Sequence, residues 1–210
     1  MKQHRSFSFF LPLLFLSLVE IANAQRFGLS GGASVNPITS LRVSGIMELD
    51  MGNWLSIQPE IAYFRKGHPS LIDRLSEIQS DFGYGALDMI SCPILFKLKM
   101  EREDFAAYLL AGPELSFGYA ALAVYVLEDG AYQREHIPIN RYAVKHWDLG
   151  VTIGLGLEKH IRQEQRIFMD FRYYLGLNNI NIDQRSVLYL EAFYFNFGML
   201  IPFHLKHHQK

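Results

Sequence analysis

The sequence has 210 residues, a formal net charge of −1 at pH 7 and a single cysteine, Cys92. A chain so close to neutral has no strong electrostatic attraction to nucleic acid or to acidic lipid, and it carries no recognisable zinc-finger, basic-stripe or phosphate-loop motif. One cysteine cannot form an intramolecular disulfide, so the fold has to close by packing or by strand pairing.

The N-terminal segment has the pattern of a secretory signal peptide. Basic residues at Lys2 and Arg5 precede an apolar stretch from about Phe9 to Val19, and Ala22-Asn23-Ala24 forms a cleavage pattern before Gln25. The apolar stretch is shorter than the ~20 residues that a membrane-spanning helix requires, so an anchoring helix is the weaker interpretation.

From residue 25 onward, the chain divides into eight segments that resemble β-strands and are separated by turns or loops. Their side chains tend to alternate between apolar and polar with a period of two, which is typical of strands. At nine to fifteen residues each, the segments suit tilted bilayer-spanning strands better than the shorter strands usual in soluble sheets. The predicted strands are residues 27–35, 41–51, 54–64, 87–99, 105–119, 147–159, 166–177 and 189–203.

The connections between these strands alternate in length. The turns after the second, fourth and sixth strands are short, and those after the odd-numbered strands are mostly longer. Outer-membrane barrels show this asymmetry between periplasmic turns and outer loops. We therefore predict three parts: a signal peptide over residues 1–24, a barrel over residues 25–203 and a polar C-terminal tail over residues 204–210.

The stretch RIFMDFRYYLGL, residues 166–177, shows the two faces of a predicted strand clearly. Every second residue from Ile167 is apolar, whereas Asp170 and Arg172 fall on the other face. In a soluble sandwich the apolar side would be the core, but in a membrane barrel it faces lipid. We predict an all-β fold, an eight-stranded antiparallel up-and-down transmembrane β-barrel. A soluble periplasmic ligand-binding barrel of lipocalin type is an alternative.

Three prolines fall inside the predicted strands, at Pro59, Pro93 and Pro113. Proline has no N–H to donate to the ladder of a sheet, so it weakens strand pairing. We expect each of these prolines to break one pairing and to mark a β-bulge.

Three motifs carry a resemblance to a known family. They are Ser56-Ile57-Gln58-Pro59-Glu60, Cys92-Pro93-Ile94-Leu95-Phe96-Lys97 and Ala111-Gly112-Pro113. Together they resemble the PorT-type outer-membrane β-barrel family of Gram-negative bacteria. The resemblance implies an eight-stranded barrel in the outer membrane, usually without an assigned enzyme activity.

The polar faces of the predicted strands carry isolated charges that would point into the barrel. A charge in a low-dielectric interior has to be paired or neutralised, so we predict a structural ion-pair network. A proton or ion path and a catalytic carboxylate pair are the alternatives. The predicted network consists of Glu48, Glu60, Lys97, Glu114, Glu158, Asp170 and Arg172, and among these Glu60, Lys97, Asp170 and Arg172 are expected at comparable heights.

A lipid-modifying enzyme is the alternative from a different functional class. Such an enzyme needs a histidine, a serine and an acid near the outer rim of the barrel. The available residues match no nucleophile motif, so we predict no enzyme activity and no cofactor. The candidates are His68, Ser70, Asp73, His136 and His146, and the tail histidines that a metal could bind are His204, His207 and His208.

The outer loops are the expected place for contact with a protein partner, in addition to outer-membrane lipid around the barrel. Residues 70–79 have the spacing of a short helix. Asp129-Gly130 lies between strand-like runs and predicts a hairpin that extends beyond the membrane.

Overall fold

The computed structural model describes residues 25–36, 38–68, 83–126, 132–138, 145–161, 165–180 and 189–203. The predicted signal peptide, the polar tail and the helix near residues 70–79 lie outside the described residues. The strands are β1 (Gln25–Asn36), β2 (Ile38–Asp50), β3 (Leu55–His68), β4 (Gly83–Arg102), β5 (Phe105–Val126), β6 (Tyr132–Pro138), β7 (Trp147–His160), β8 (Arg166–Gly176) and β9 (Glu191–Pro202). Among these residues, no helix is long and apolar enough to cross a membrane.

Eight of the strands form a closed antiparallel barrel. Neighbours in sequence pair with each other, except that β5 pairs with β7, and β1 closes the ring by pairing with β9. The remaining strand, β6, pairs with the last part of β5 to form a hairpin. The predicted eight-stranded up-and-down barrel is therefore confirmed. The two strands of the predicted hairpin are paired as β5 and β6, and its Asp129-Gly130 turn lies outside the described residues.

The apolar face of each barrel strand points outward. On β8, Met169 and Phe171 are 44% and 47% exposed, whereas Asp170 and Arg172 on the opposite face are 2% and 0% exposed. Water would penalise such a large apolar periphery, but hydrocarbon does not. The alternative of a soluble barrel with an apolar core is therefore wrong for this chain.

The two ends of the barrel differ in their connections. Short turns at residues 51–54, 103–104 and 161–165 join strands at one end, which we call the short-turn end. At the other end, the long-loop end, residues 69–82 and 177–190 and the segment containing β6 connect the strands. The β1–β2 connection at the long-loop end is a single residue, 37, and is thus the exception to the predicted alternation.

The ladders lack pairs beside Pro59, Pro93 and Pro113, so the expected interruption of pairing is confirmed, but the prolines do not mark bulges, so that part of the prediction is wrong. Across Pro59, for example, the β2–β3 register is the same on both sides of the proline, because Ile46 pairs with Glu60 and Leu49 with Ile57. A register shift occurs instead between β4 and β5. There Met89 pairs with Gly118 and Asp88 with Ala120, which leaves Tyr119 of β5 as an extra residue, the definition of a β-bulge.

Glycines allow the closing pair, β1 and β9, to approach closely. A Cβ added at Gly32 would overlap the backbone carbonyl oxygen of Phe195, and one added at Gly28 would overlap that of Met199. Gly31, the neighbour of Gly32, has no heavy atom within 4 Å of the position of a Cβ. The seam of the barrel thus needs glycine on its inward side and not on its outward side.

Alanine substitutions at these neighbouring glycines should separate the two cases. Gly32→Ala should destabilise the barrel by about 1–3 kcal/mol, because the backbone of β9 would have to move. Gly31→Ala should be neutral or stabilise by about 0.5–1 kcal/mol, because a strand glycine is replaced without a clash. Urea titration of the barrel in detergent, followed by the heat-dependent gel shift, measures both. Equal stabilities of the two variants would contradict the close approach at the seam.

Candidate functional site

The interior of the barrel collects the charged side chains of alternating strand positions. All seven residues of the predicted network lie inside and are nearly inaccessible to solvent. Their exposed fractions are Glu48 0%, Glu60 4%, Lys97 1%, Glu114 0%, Glu158 0%, Asp170 2% and Arg172 0%. They divide into three clusters along the barrel axis.

The first cluster lies at the short-turn end and is centred on Lys97. Its Nζ donates to Glu48 Oε2 at 2.7 Å and also contacts Glu158. Arg166 Nη1 reaches Glu158 Oε2 at 3.1 Å from β8. Three further residues, Lys99, Asp50 and Arg26, complete this short-turn cluster. Lys99 Nζ lies 2.6 Å from Asp50 Oδ1, and Arg26 Nη1 lies 2.5 Å from Asp50 Oδ2.

The second cluster lies in the middle of the barrel and is centred on Arg172. Its Nη1 donates to Glu60 Oε1 at 2.8 Å and its Nη2 to Asp170 Oδ2 at 2.7 Å, so one guanidinium bridges two carboxylates. Asn196 Nδ2 also donates to Asp170 Oδ1 at 2.7 Å. Arg42 contributes a second positive charge, with Nη2 3.4 Å from Glu60 Oε2 and its guanidinium carbon 4.8 Å from the ring centroid of Tyr194.

The third cluster lies toward the long-loop end. Lys66 Nζ is 3.5 Å from Glu114 Oε1 and 3.1 Å from the ring centroid of Tyr174. Thr152 Oγ1 donates to Glu114 Oε2 at 2.6 Å, and the Tyr174 hydroxyl donates to Asp148 Oδ2 at 2.5 Å. The carboxylates of this cluster are therefore held by one ammonium group and by hydroxyl donors.

Buried apolar side chains fill the lumen around the third cluster, toward the long-loop end. Ile180 and Leu190, which flank the β8–β9 loop, belong to one buried apolar cluster with Phe64 of β3, whose ring centroid is 5.0 Å from Lys66 Nζ. Backbone hydrogen bonds hold the flanks of this loop, from Lys145 N to Ile180 O at 2.7 Å and from Gly176 N to Leu190 O at 2.7 Å. The lumen at this end is thus filled by apolar side chains as well as by charges.

The charges inside the barrel balance. Among the described residues, the three clusters contain seven basic and seven acidic side chains, and Glu101, which is 3.6 Å from Arg166 but 41% exposed, lies at the rim outside this count. Each carboxylate has at least one charged or hydroxyl donor within hydrogen-bonding or ion-pairing distance, as a low-dielectric interior requires. The basic members are Arg26, Arg42, Lys66, Lys97, Lys99, Arg166 and Arg172, and the acidic members are Glu48, Asp50, Glu60, Glu114, Asp148, Glu158 and Asp170.

The heights expected from the sequence are correct for three of four residues. Glu60, Asp170 and Arg172 are in direct contact in the middle cluster. Lys97 is bound instead to Glu48 and Glu158 in the short-turn cluster, because the strands are staggered around the barrel.

Seven inward charges were not included in the predicted network, although Asp148 and Arg166 were expected on the polar faces of their strands. Several could have been found from the period of two alone, since Arg42 is in phase with Glu48 and Lys99 is in phase with Lys97. Lys66 lies beyond the predicted end of the third strand, so its phase was not considered. The missed residues are Arg26, Arg42, Asp50, Lys66, Lys99, Asp148 and Arg166.

The candidate residues for an enzyme are not assembled into a site by the described part of the chain. His146 is exposed, and His68 and His136 have described backbone only, at the end of β3 and within β6. Ser70, Asp73 and the tail histidines lie outside the described residues. Within the described ranges, no three histidine, cysteine or acidic residues form a group that could hold a metal ion.

A closed barrel with an apolar periphery and a charged interior defines the class of the protein as a transmembrane β-barrel. A family model described as "Outer membrane protein beta-barrel domain" matches residues 5–181, and the chain belongs to this family. The protein is accordingly located in the outer membrane. No curated protein matches the chain in sequence.

Solved barrels of similar fold have little sequence identity to this chain. The N-terminal β-barrel domain of Pseudomonas aeruginosa OprF has a TM-score of 0.50 at 9% identity and covers 87% of this chain and 98% of that chain. Neisserial surface protein A has a TM-score of 0.48 at 11% identity and covers 86% of this chain and 96% of that chain. The outer membrane enzyme PagL has a TM-score of 0.47 at 10% identity and covers 82% of this chain and 97% of that chain. Likeness at such identities shows the fold alone.

Removal of the central guanidinium should expose the energetic dependence of the middle cluster. Arg172→Met should destabilise the barrel by about 3–5 kcal/mol, because it leaves buried Asp170 without an ion-pair partner and Glu60 with Arg42 alone. Urea unfolding in detergent measures the loss. The exposed Lys159→Met, at the end of β7, is the matched control and should change stability by less than about 1 kcal/mol.

A compensated variant tests the cause of this loss. Combining Arg172→Met with Asp170→Asn removes one charge of each sign, leaves Glu60 paired with Arg42 and should recover much of the stability. A double variant as unstable as Arg172→Met alone would mean that packing of the guanidinium, and not its charge, is what matters.

Proposed function

We propose that this chain is a sealed outer-membrane barrel with a structural or interaction role that is carried by its outer loops and not by its lumen. The PorT-type resemblance of its motifs around Pro59, Pro93 and Pro113 is part of this proposal, as are a signal peptide over residues 1–24 and a polar tail after residue 203. The expected contacts are outer-membrane lipid around the barrel and a protein partner at the loops.

The observation that carries the proposal is the mutual neutralisation of the lumen charges. An ion crossing the barrel would have to displace Lys97 from two carboxylates and Arg172 from two more. An eight-stranded barrel is also only wide enough for its own side chains, so no aqueous channel is expected. The buried apolar cluster that contains Phe64, Ile180 and Leu190 supports a closed lumen toward the outer end.

The same pairing argues against catalysis in the lumen. A general acid or base has to exchange a proton with a substrate, and its carboxyl group must be free to do so. Glu60 and Asp170 share the guanidinium of Arg172, and Glu114 is engaged by Lys66 and Thr152. We therefore propose no enzyme activity and no cofactor for this site.

The β5–β6 hairpin is the outer feature that best suits partner binding. β7 pairs with β5 as far as Trp147 opposite Phe117, and these two exposed aromatic residues have the position of an interfacial girdle. β5 continues to Val126, nine residues beyond Phe117, and is joined there by β6. This extension supports a surface that reaches out of the membrane.

Reconstitution into planar bilayers tests the seal. We expect no steady ion conductance from the folded protein, because a lumen filled with paired side chains excludes water and ions. Insertion is verified by the heat-dependent gel shift of the same sample. Discrete conductance steps from correctly folded protein would contradict a sealed lumen and would favour an ion path through the charged clusters.

Site-specific photo-crosslinking tests the interaction role. A benzophenone side chain placed at Tyr132 in β6 should form a protein adduct in intact cells that naturally express the chain. The same group at the lipid-facing Phe171 is the matched control and should react with lipid only. If positions 132–137 yield no protein adduct under conditions where Phe171 reacts with lipid, the interaction proposal is wrong.

A further inference from the structure

β6 stands apart from the other strands because, among the residues that the structure describes, only one of its edges is paired. Each of the eight barrel strands has a neighbour on both sides, whereas β6 ends the described sheet and pairs with β5 alone. β6 pairs with the same edge of β5 that pairs with β7 nearer the short-turn end, and β4 occupies the opposite edge. On the shared edge, the last contact before β6 is from Gly118 N to His146 O at 2.8 Å, and the first β6 pair is Ala120 with Pro138.

The free edge lies outside the membrane. β6 pairs with β5 only beyond Tyr119, the exposed aromatic residue of the bulge, which follows the girdle residue Phe117 on the same strand. β6 is seven residues long, or about 23 Å at the rise of an extended strand. In hydrocarbon such an edge would be forbidden, since its N–H and C=O groups would have no partner, but above the membrane water can solvate them.

The backbone of β6 is suited to pair with another strand. An exposed edge is a template for strand addition, and proteins commonly block it with an interior proline, a very short edge strand, a covering segment or charged side chains. The charges of Arg134 and Glu135 are opposite in sign, so they give the strand no net charge to repel a partner. The proline of β6, Pro138, is its last residue, so residues 132–137 all retain their N–H groups. The seven residues of β6 are slightly more than the five to six of a usual strand, so its edge is long enough to pair with a complete added strand.

We infer that the free edge of β6 binds an extended segment of a partner protein by β-strand addition. This inference rests on the proposed interaction role of the outer hairpin and specifies how it works. Recognition by strand addition depends mainly on backbone hydrogen bonds, so the partner segment is defined by an extended conformation more than by one sequence motif.

A second copy of the chain fits this edge less well. Two barrels inserted in the same membrane with the same orientation are related by an axis along the membrane normal. That axis runs close to the direction of strands that leave the barrel, so it would bring two β6 strands together parallel and not antiparallel. Parallel pairing of two short edges is the weaker arrangement, and a foreign segment is free to run in either direction.

Hydrogen exchange of the folded protein in lipid nanodiscs tests whether the edge is free. Consecutive N–H groups of a strand point to opposite sides, so residues 132–137 should alternate between protected and rapidly exchanging amides. Protection of every amide in this stretch would mean that another part of this chain already covers the edge, and the inference would be overturned.

Proline substitution tests whether the free edge binds. In Arg134→Pro and Glu135→Pro the lost N–H groups point to opposite sides, and the exchange pattern identifies the outward one. The probe is a random twelve-residue peptide library displayed on phage, selected on the barrel in nanodiscs against empty nanodiscs. The outward proline variant should bind the selected peptides at least about tenfold more weakly, while the β5 amides keep their protection.

Alanine variants at the same positions are the matched controls. Arg134→Ala and Glu135→Ala keep both N–H groups and should bind the selected peptides as the wild type does. A library that yields no peptide above the empty-nanodisc background would overturn strand addition. Selected peptides that no longer bind the alanine variants but still bind the outward proline variant would overturn it as well. If the Tyr132 crosslink in cells persists in that proline variant, the hairpin binds its partner by another surface, and only this inference fails.

Discussion

Hydrocarbon offers no hydrogen-bonding partner to a peptide group, and the architecture of this chain follows from that constraint. Each barrel strand needs a neighbour on both sides, so the first and last strands have to meet. They can do so because Gly28 and Gly32 present no Cβ to the carbonyl oxygens of β9. Closure in turn creates a narrow interior that side chains fill and that bulk water cannot enter.

That narrow interior explains why its charges are so fully matched. Pairing a buried charge does not by itself add much stability, but removing its partner is strongly unfavourable. A change in strand register would separate Arg172 on β8 from Glu60 on β3 and leave both exposed to this penalty. The clusters therefore help to define one register among those that the apolar periphery alone would permit.

The period of two was enough to predict the strands and their two faces. Strand length and the alternation of short and long connections were needed to predict a membrane barrel, in which the apolar face points to lipid. None of these patterns could place residues along the barrel axis. Lys97 was expected beside Arg172 but pairs with Glu48, since the stagger between strands is a property of the closed ring and leaves no local pattern.

The bulges predicted at the prolines were wrong for a related reason. A missing N–H weakens one pairing, yet the register of the two strands continues unchanged past Pro59. The end of β5 was placed too early because its alternation is lost after Tyr119, where the bulge lies.

The extra residue at Tyr119 has a consequence for how such a barrel could change over evolutionary time. A bulge absorbs one residue at the place where β5 leaves the membrane, so the strand pairs above it are offset from those below. Residues could be inserted or deleted in the hairpin without disturbing the alternation that faces lipid. The membrane-spanning barrel would then stay constant, while the hairpin beyond Tyr119 changes in length and sequence.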